Sequence, residues 1–134
     1  MPLERIVIPD GRLPLFGPFP HAIRAGDLLF VTGQLAEDPE TGAMELGPIE
    51  DQVRRVMENL KIVLTEAGTS FDHAVMARVF ITDLRDFEVM NRVYSSYFAA
   101  GKLPCRTTVG VMGLAGKGNV EIDLIVYCGE TGEA

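Results

Sequence analysis

Residues Ala74-Val75-Met76-Ala77-Arg78-Val79-Phe80-Ile81 are apolar on both alternating sets, with Arg78 the exception. Successive side chains of a strand point to opposite faces, so a strand of this kind is covered on both. The chain offers two long amphipathic helical segments, enough for one face of a sheet of about six strands. The second face must then meet another subunit. The pattern predicts a homo-oligomer that packs sheet against sheet.

The first helical segment runs from Ile49 to Ala67, where Ile49, Val53, Val56, Leu60, Val63, Leu64 and Ala67 recur on one face. Pro48 suits its first turn, Glu50 and Asp51 complement the dipole there, and Gly68 can take the left-handed conformation that ends it. The second begins near Asp83 and Asp86 and carries Phe87, Met90, Tyr94, Tyr97 and Phe98 as a stripe until Gly101. Around them, Ile6-Val7-Ile8 suggests a short strand within a Pro- and Gly-rich start. His21–Ala25 and Leu28–Gly33 flank a Gly26-Asp27 turn, and Val75–Thr82 forms a strand. Leu103–Val111 and Val120–Tyr127 complete the set. The expected order is strand, hairpin, helix, strand, helix, strand, strand in a single domain over residues 1–134.

A net charge of −7 repels phosphate backbones, and Arg54-Arg55 sits among Glu50, Asp51 and Glu58, so a nucleic-acid partner is not expected. The first residues lack the features of a secretory signal and no apolar run would span a bilayer. A cytoplasmic protein is expected, with Cys105 and Cys128 kept as thiols. Two histidines and two cysteines without a short ligand pair predict no metal site. Gly113–Gly118 lacks the full phosphate-loop pattern and reads as a connection between the last two strands.

Candidate chemistry centres on Arg106, at the head of a strand. A guanidinium beside apolar residues needs solvent or an anion, and a small carboxylate-bearing molecule meets that need. Glu121, on the next strand, is the acid that could work beside it by holding a water for attack on an electrophilic carbon. The alternative is structural, with Arg106 paired to Glu121 or Asp123 across neighbouring strands. Cys105 abuts Arg106, whose charge would favour a thiolate, but no spacing joins it to His21 or His73, and a structural thiol is the commoner case.

Several ordered segments together resemble the Rid/YjgF family, the reactive intermediate deaminases also labelled endoribonuclease L-PSP. They are Gly17-Pro18-Phe19, Ala25–Gln34, Asp38-Pro39-Glu40-Thr41-Gly42, Glu58-Asn59-Leu60, Val79–Leu84, Asp86-Phe87, Asn91–Tyr94, Pro104–Thr107 and Val120-Glu121-Ile122. The resemblance implies a chorismate-mutase-like α/β fold: a mixed six-stranded sheet, two helices on one face, and a homotrimer whose sheets form a central barrel with ligand sites between subunits. It implies hydrolysis of enamines and imines such as 2-aminoacrylate and 2-iminobutyrate to 2-keto acids and ammonia, without a cofactor. Arg106 would clamp the substrate carboxylate and Glu121 would position the water. Thr32, Gly33, Asn91 and the backbone near Cys105 to Thr107 would line the pocket, with Phe19 and Phe87 as apolar walls.

Two departures from the family pattern bear on specificity. Phe19 stands where tyrosine is common, which removes a hydroxyl, and Cys105 stands where alanine is usual. A pathway-specific relative, such as a 2-aminomuconate deaminase or an aminoacrylate-handling enzyme of pyrimidine breakdown, and a non-catalytic trimer that binds metabolites and regulates a partner are the competing expectations.

Overall fold

Strict alternation along the last strand sorts the molecule into two faces. In the computed structural model, which describes residues 2–9 and 11–130, that strand is β6 (Val120–Tyr127), and its residues alternate between buried and half-exposed. The elements before it are β1 (Leu3–Ile6), β2 (Ala22–Ala25), β3 (Leu28–Gln34), α1 (Ile49–Glu66), β4 (Ala74–Ile81), α2 (Phe87–Ser95) and β5 (Cys105–Gly110). The sheet order is β1-β2-β3-β6-β4-β5. Among the described residues only β4 and β5 pair in parallel, with α2 in the crossover between them; the other pairings are antiparallel. This is the expected mixed α/β sheet with both helices on one face.

Val120, Ile122, Leu124 and Val126 of β6 join Leu29, Val31, Ala77, Val79 and Ile81 beneath the apolar face of α1, forming one core. α1 ends as expected: Gly68 takes φ 77° and its N–H donates to the Thr65 carbonyl, while the Thr69 N–H reaches the Leu64 carbonyl. On the opposite face Phe30 and Val75 are exposed, and Met76, Phe80 and Ile125 are half-buried. A register shift between Ala74 and Met76 puts Val75 on that open face rather than with Ala77.

Two elements differ from expectation. The first strand is Leu3–Ile6 rather than Ile6–Ile8, because Leu3 to Ile6 pair with Ala25 to Ala22. Ile8 leaves the ladder for the core, where its N–H donates to His21 Nδ1 at 2.9 Å. The second helix stops at Ser95 instead of continuing toward Gly101. Hydroxyls of Ser95 and Ser96 donate to the Arg92 and Val93 carbonyls, so they compete for the acceptors that would propagate the helix. Phe98 then packs its ring 4.8 Å from Tyr94 and 5.3 Å from Phe71. Its start is also delayed: Asp83 accepts from the Arg85 N–H and a 3-10 turn over Leu84–Asp86 precedes Phe87, whose ring is exposed rather than part of the stripe.

Two fully buried amides tie α1 to the rest. Gln52 donates to the Gly47 carbonyl and to Asn119 Oδ1, and accepts from the Asn119 N–H. Asn59 donates to the Leu35 and Glu37 carbonyls at 3.1 and 2.8 Å. An Asn59→Ala substitution strands both carbonyls in the interior, and urea unfolding should register a loss of roughly 3 kcal/mol.

Candidate active site

At the end of β3 the register with β6 shifts: Val31 faces Leu124 and Gln34 faces Ile122, so Thr32 and Gly33 together oppose Asp123. Such a bulge bends the strand and frees its backbone from the regular ladder. Thr32 is pinned there, its N–H donating to the His21 carbonyl and its hydroxyl to the Pro20 carbonyl at 2.7 Å. Gly33 lies directly under the Glu121 side chain, and a Cβ at this position would collide with the carboxylate. Phe19, Thr32, Gly33 and Glu121 thereby line one cavity of about 280 Å³, closed on its other sides by Phe16 and Glu37 among others.

The acids of this cavity are held away from their usual ionisation. Burial is the main cause that raises the Glu121 carboxyl, followed by the negative charge of Asp123, while Arg78 opposes them. Glu37 is only 2% exposed. Its carboxyl is raised from 4.5 to about 7, chiefly by burial and further by Glu121, against backbone N–H groups of Glu37 and Leu35 and the charge of Arg55. One of its oxygens, Oε2, is buried without a hydrogen-bond partner among the described residues.

Arg106 belongs to a second cluster. In the parallel register it sits opposite Ala77, a helix-facing residue, so its side chain runs under α2. Its guanidinium lies 4.9 Å from the Tyr94 ring centre and 5.5 Å from that of Phe87, and donates to Asn91 Oδ1 at 2.6 Å. Among the described residues no carboxylate lies within ion-pair distance of it. Asp123 is taken by Arg78 instead, in a bidentate pair with a shortest contact of 2.6 Å, so the cross-strand partner considered for Arg106 belongs to another arginine.

Within one chain Arg106 and Glu121 are not neighbours. β4 separates their strands, and Glu121 pairs with Phe80 on the open face while Arg106 faces the helices. The expected site residues therefore form two groups: Phe19, Thr32, Gly33 and Glu121 around the cavity, and Phe87, Asn91 and Arg106 under α2. Cys105 and Thr107 lie in neither; they are exposed on the open face of β5, opposite Met76 and Arg78. Both cysteines are free. Among the described residues no group of His, Cys, Asp or Glu could hold a metal ion, and no helix is long and apolar enough to cross a membrane.

Glu37 was not legible as a site residue. Its position depends on Asn59, 22 residues away, which grips its carbonyl, and local sequence carries no sign of that long-range contact. Arg55, expected on a solvated face, turns partly inward and donates to Asn59 Oδ1.

Raising a folded-state carboxyl means that the unfolded chain loses its proton first as pH rises. Stability is greatest below about 4.5 and declines until the folded carboxyl ionises near 7. The unfolding free energy should thus fall by up to about 3 kcal/mol between pH 5 and 8 through Glu37. Glu37→Gln should flatten that dependence in urea titrations at the two pH values.

Residues 11–128 match the family model described as endoribonuclease L-PSP. A RutC family protein of Pyrococcus abyssi is 44% identical over 111 residues, covering 83% of this chain and 87% of that protein. Among solved structures, RidA from the Antarctic bacterium Psychrobacter superposes with a TM-score of 0.86 at 33% identity, covering 92% of this chain and 99% of that one. TdcF of E. coli with bound serine gives a TM-score of 0.83 at 30% identity, covering 92% and 98%. The chain belongs to the endoribonuclease L-PSP family, the Rid/YjgF family that its sequence resembles.

Proposed function

We propose that this protein is a cofactor-independent deaminase that hydrolyses small carboxylate-bearing imines and enamines, of the 2-iminobutyrate or 2-aminoacrylate type, to 2-keto acids and ammonia. The observation that carries this reading is the state of Arg106. Its contacts among the described residues are an amide oxygen, a thioether and two aromatic faces, all neutral, which leaves its charge available to an anion. A planar carboxylate matches that fork bidentately. That TdcF holds serine, a small amino acid, supports a ligand of this size and chemistry.

The separation of Arg106 from Glu121 supports a site shared between copies. The open face is apolar enough to need covering, with Phe30 45% and Val75 44% exposed. We read it as the packing surface of a homotrimer in which the Arg106 cluster of one subunit meets the Glu121 cavity of the next. Acting in the cytoplasm, such a trimer would intercept reactive intermediates close to the enzymes that release them.

The chemistry follows from the two clusters. Arg106 fixes the substrate carboxylate and thereby aims the adjacent imine carbon, converting a random encounter into an oriented one. The Glu121 carboxylate holds a water and accepts its proton as the oxygen adds to that carbon. Phe19 supplies an apolar wall without a hydroxyl, which favours a substrate with an aliphatic rather than a polar tail. An RNA substrate is disfavoured by the net charge of −7.

Hydrolysis of 2-iminobutyrate generated in situ, followed spectrophotometrically, tests this. The wild type should accelerate it, and Arg106→Ala should lose roughly 10²-fold or more in kcat/KM through lost orientation. Arg106→Lys, which keeps the charge but not the fork, should fall between the two. An Arg106→Ala variant as fast as wild type would remove the basis of the assignment.

A further inference from the structure

Clamping a carboxylate and aiming a water leaves one requirement unmet: something must protonate the imine nitrogen as its carbon is attacked. Glu37 is positioned for that. It lines the same cavity as Glu121, is 2% exposed, and has a buried carboxyl oxygen with no hydrogen-bond partner among the described residues. A buried carboxyl without a salt bridge is most cheaply kept as the neutral acid, and an acid needs a recipient for its hydrogen. Asn59 holds both the Leu35 and Glu37 carbonyls, so the segment that carries this carboxyl is fixed to α1.

We propose that Glu37 is the proton donor of this site, forming with Glu121 a carboxyl pair that shares one proton and in which Glu37 is the protonated member. The inference rests on the deaminase reading and adds a second acid to it. As water adds to the imine carbon, Glu121 takes a proton from it, the C=N π pair moves to nitrogen, and nitrogen takes the Glu37 proton. The product is a neutral carbinolamine facing a protonated Glu121 and an ionised Glu37. Glu121 then returns its proton to the amine, the C–N bond breaks toward nitrogen, and the hydroxyl gives its proton to Glu37 as the carbonyl forms. Ammonia and a keto acid leave, and both carboxyls are restored.

The surroundings support this assignment of roles. Among the described residues the charged groups acting on Glu37 are Arg55 of α1 and Glu121 of β6, and burial outweighs both. Glu121 faces Asp123 and Arg78, and its own rise is opposed by that arginine. Both carboxyls are raised by burial, but Glu37 is raised further by the Glu121 charge while Arg78 favours the ionised form of Glu121, which suits Glu37 to act as the acid and Glu121 as the base.

Carbon-13 NMR of glutamate-labelled protein tests the pair, with the Glu37 signal assigned by its loss in Glu37→Gln. Its midpoint should lie near 7 and should drop in Glu121→Gln, where the neighbouring negative charge is gone. A midpoint in the ordinary carboxylate range, or one indifferent to Glu121→Gln, overturns the pair. Kinetics test the role. Wild-type kcat/KM for 2-iminobutyrate should decline as pH rises past the Glu37 midpoint, and Glu37→Gln should lose on the order of 10²-fold together with that limb. Glu37→Asp, which retains an acid, should keep a basic limb at reduced rate, separating loss of the proton from loss of fold. If the wild type accelerates hydrolysis and Glu37→Gln retains both rate and limb, the donor role is wrong while the deaminase reading stands. If the wild type gives no acceleration from pH 5 to 9, both fall together.

Discussion

The period of β6 is the constraint from which most of the structure follows. It lies third from one edge of the sheet, between β3 and β4, and each of its residues is committed to one face or the other. Val120, Ile122, Leu124 and Val126 complete the core under the helices, and the same alternation sends Glu121 and Asp123 to the opposite side. A slip of one residue would bury two carboxylates under α1 and expose four aliphatic side chains. Hydrophobic burial therefore fixes the position of the acid, and the site inherits its geometry from the core.

Two arginines on neighbouring strands illustrate how differently one side chain can be used. Arg78 is consumed by Asp123 in a bidentate pair in which the arginine is exposed and the carboxylate largely covered. Arg106, on the adjacent strand, is surrounded by π-faces and an amide oxygen, which hold the guanidinium without cancelling its charge. Such a cage restrains the side chain while leaving its positive charge without a carboxylate partner among the described residues.

Much of this was legible in the sequence, for local reasons. The α1 period, the Gly26-Asp27 hairpin and the order of elements depend on contacts near in the chain and on binary pattern. The boundary of α2 was not, because serine hydroxyls at Ser95 and Ser96 compete for helix carbonyls in a way that apolar spacing does not record. The families of site residues were nameable from motifs, but their division between two faces was not, since it requires knowing that β4 lies between β5 and β6. Glu37 escaped notice for the same kind of reason: an acid beside Asp38-Pro39 looks like part of a polar turn until Asn59 draws its segment inward.

Gly33 carries one more implication. Its backbone is not in the left-handed region, and the three atoms nearest to a methyl group added there all belong to Glu121. The demand for glycine is thus imposed by the acid rather than by the chain's own conformation. While Glu121 keeps this rotamer a Cβ at 33 has no room beside it, so alanine there would push the carboxylate aside at the end of its flexible side chain and re-aim the acid within the cavity.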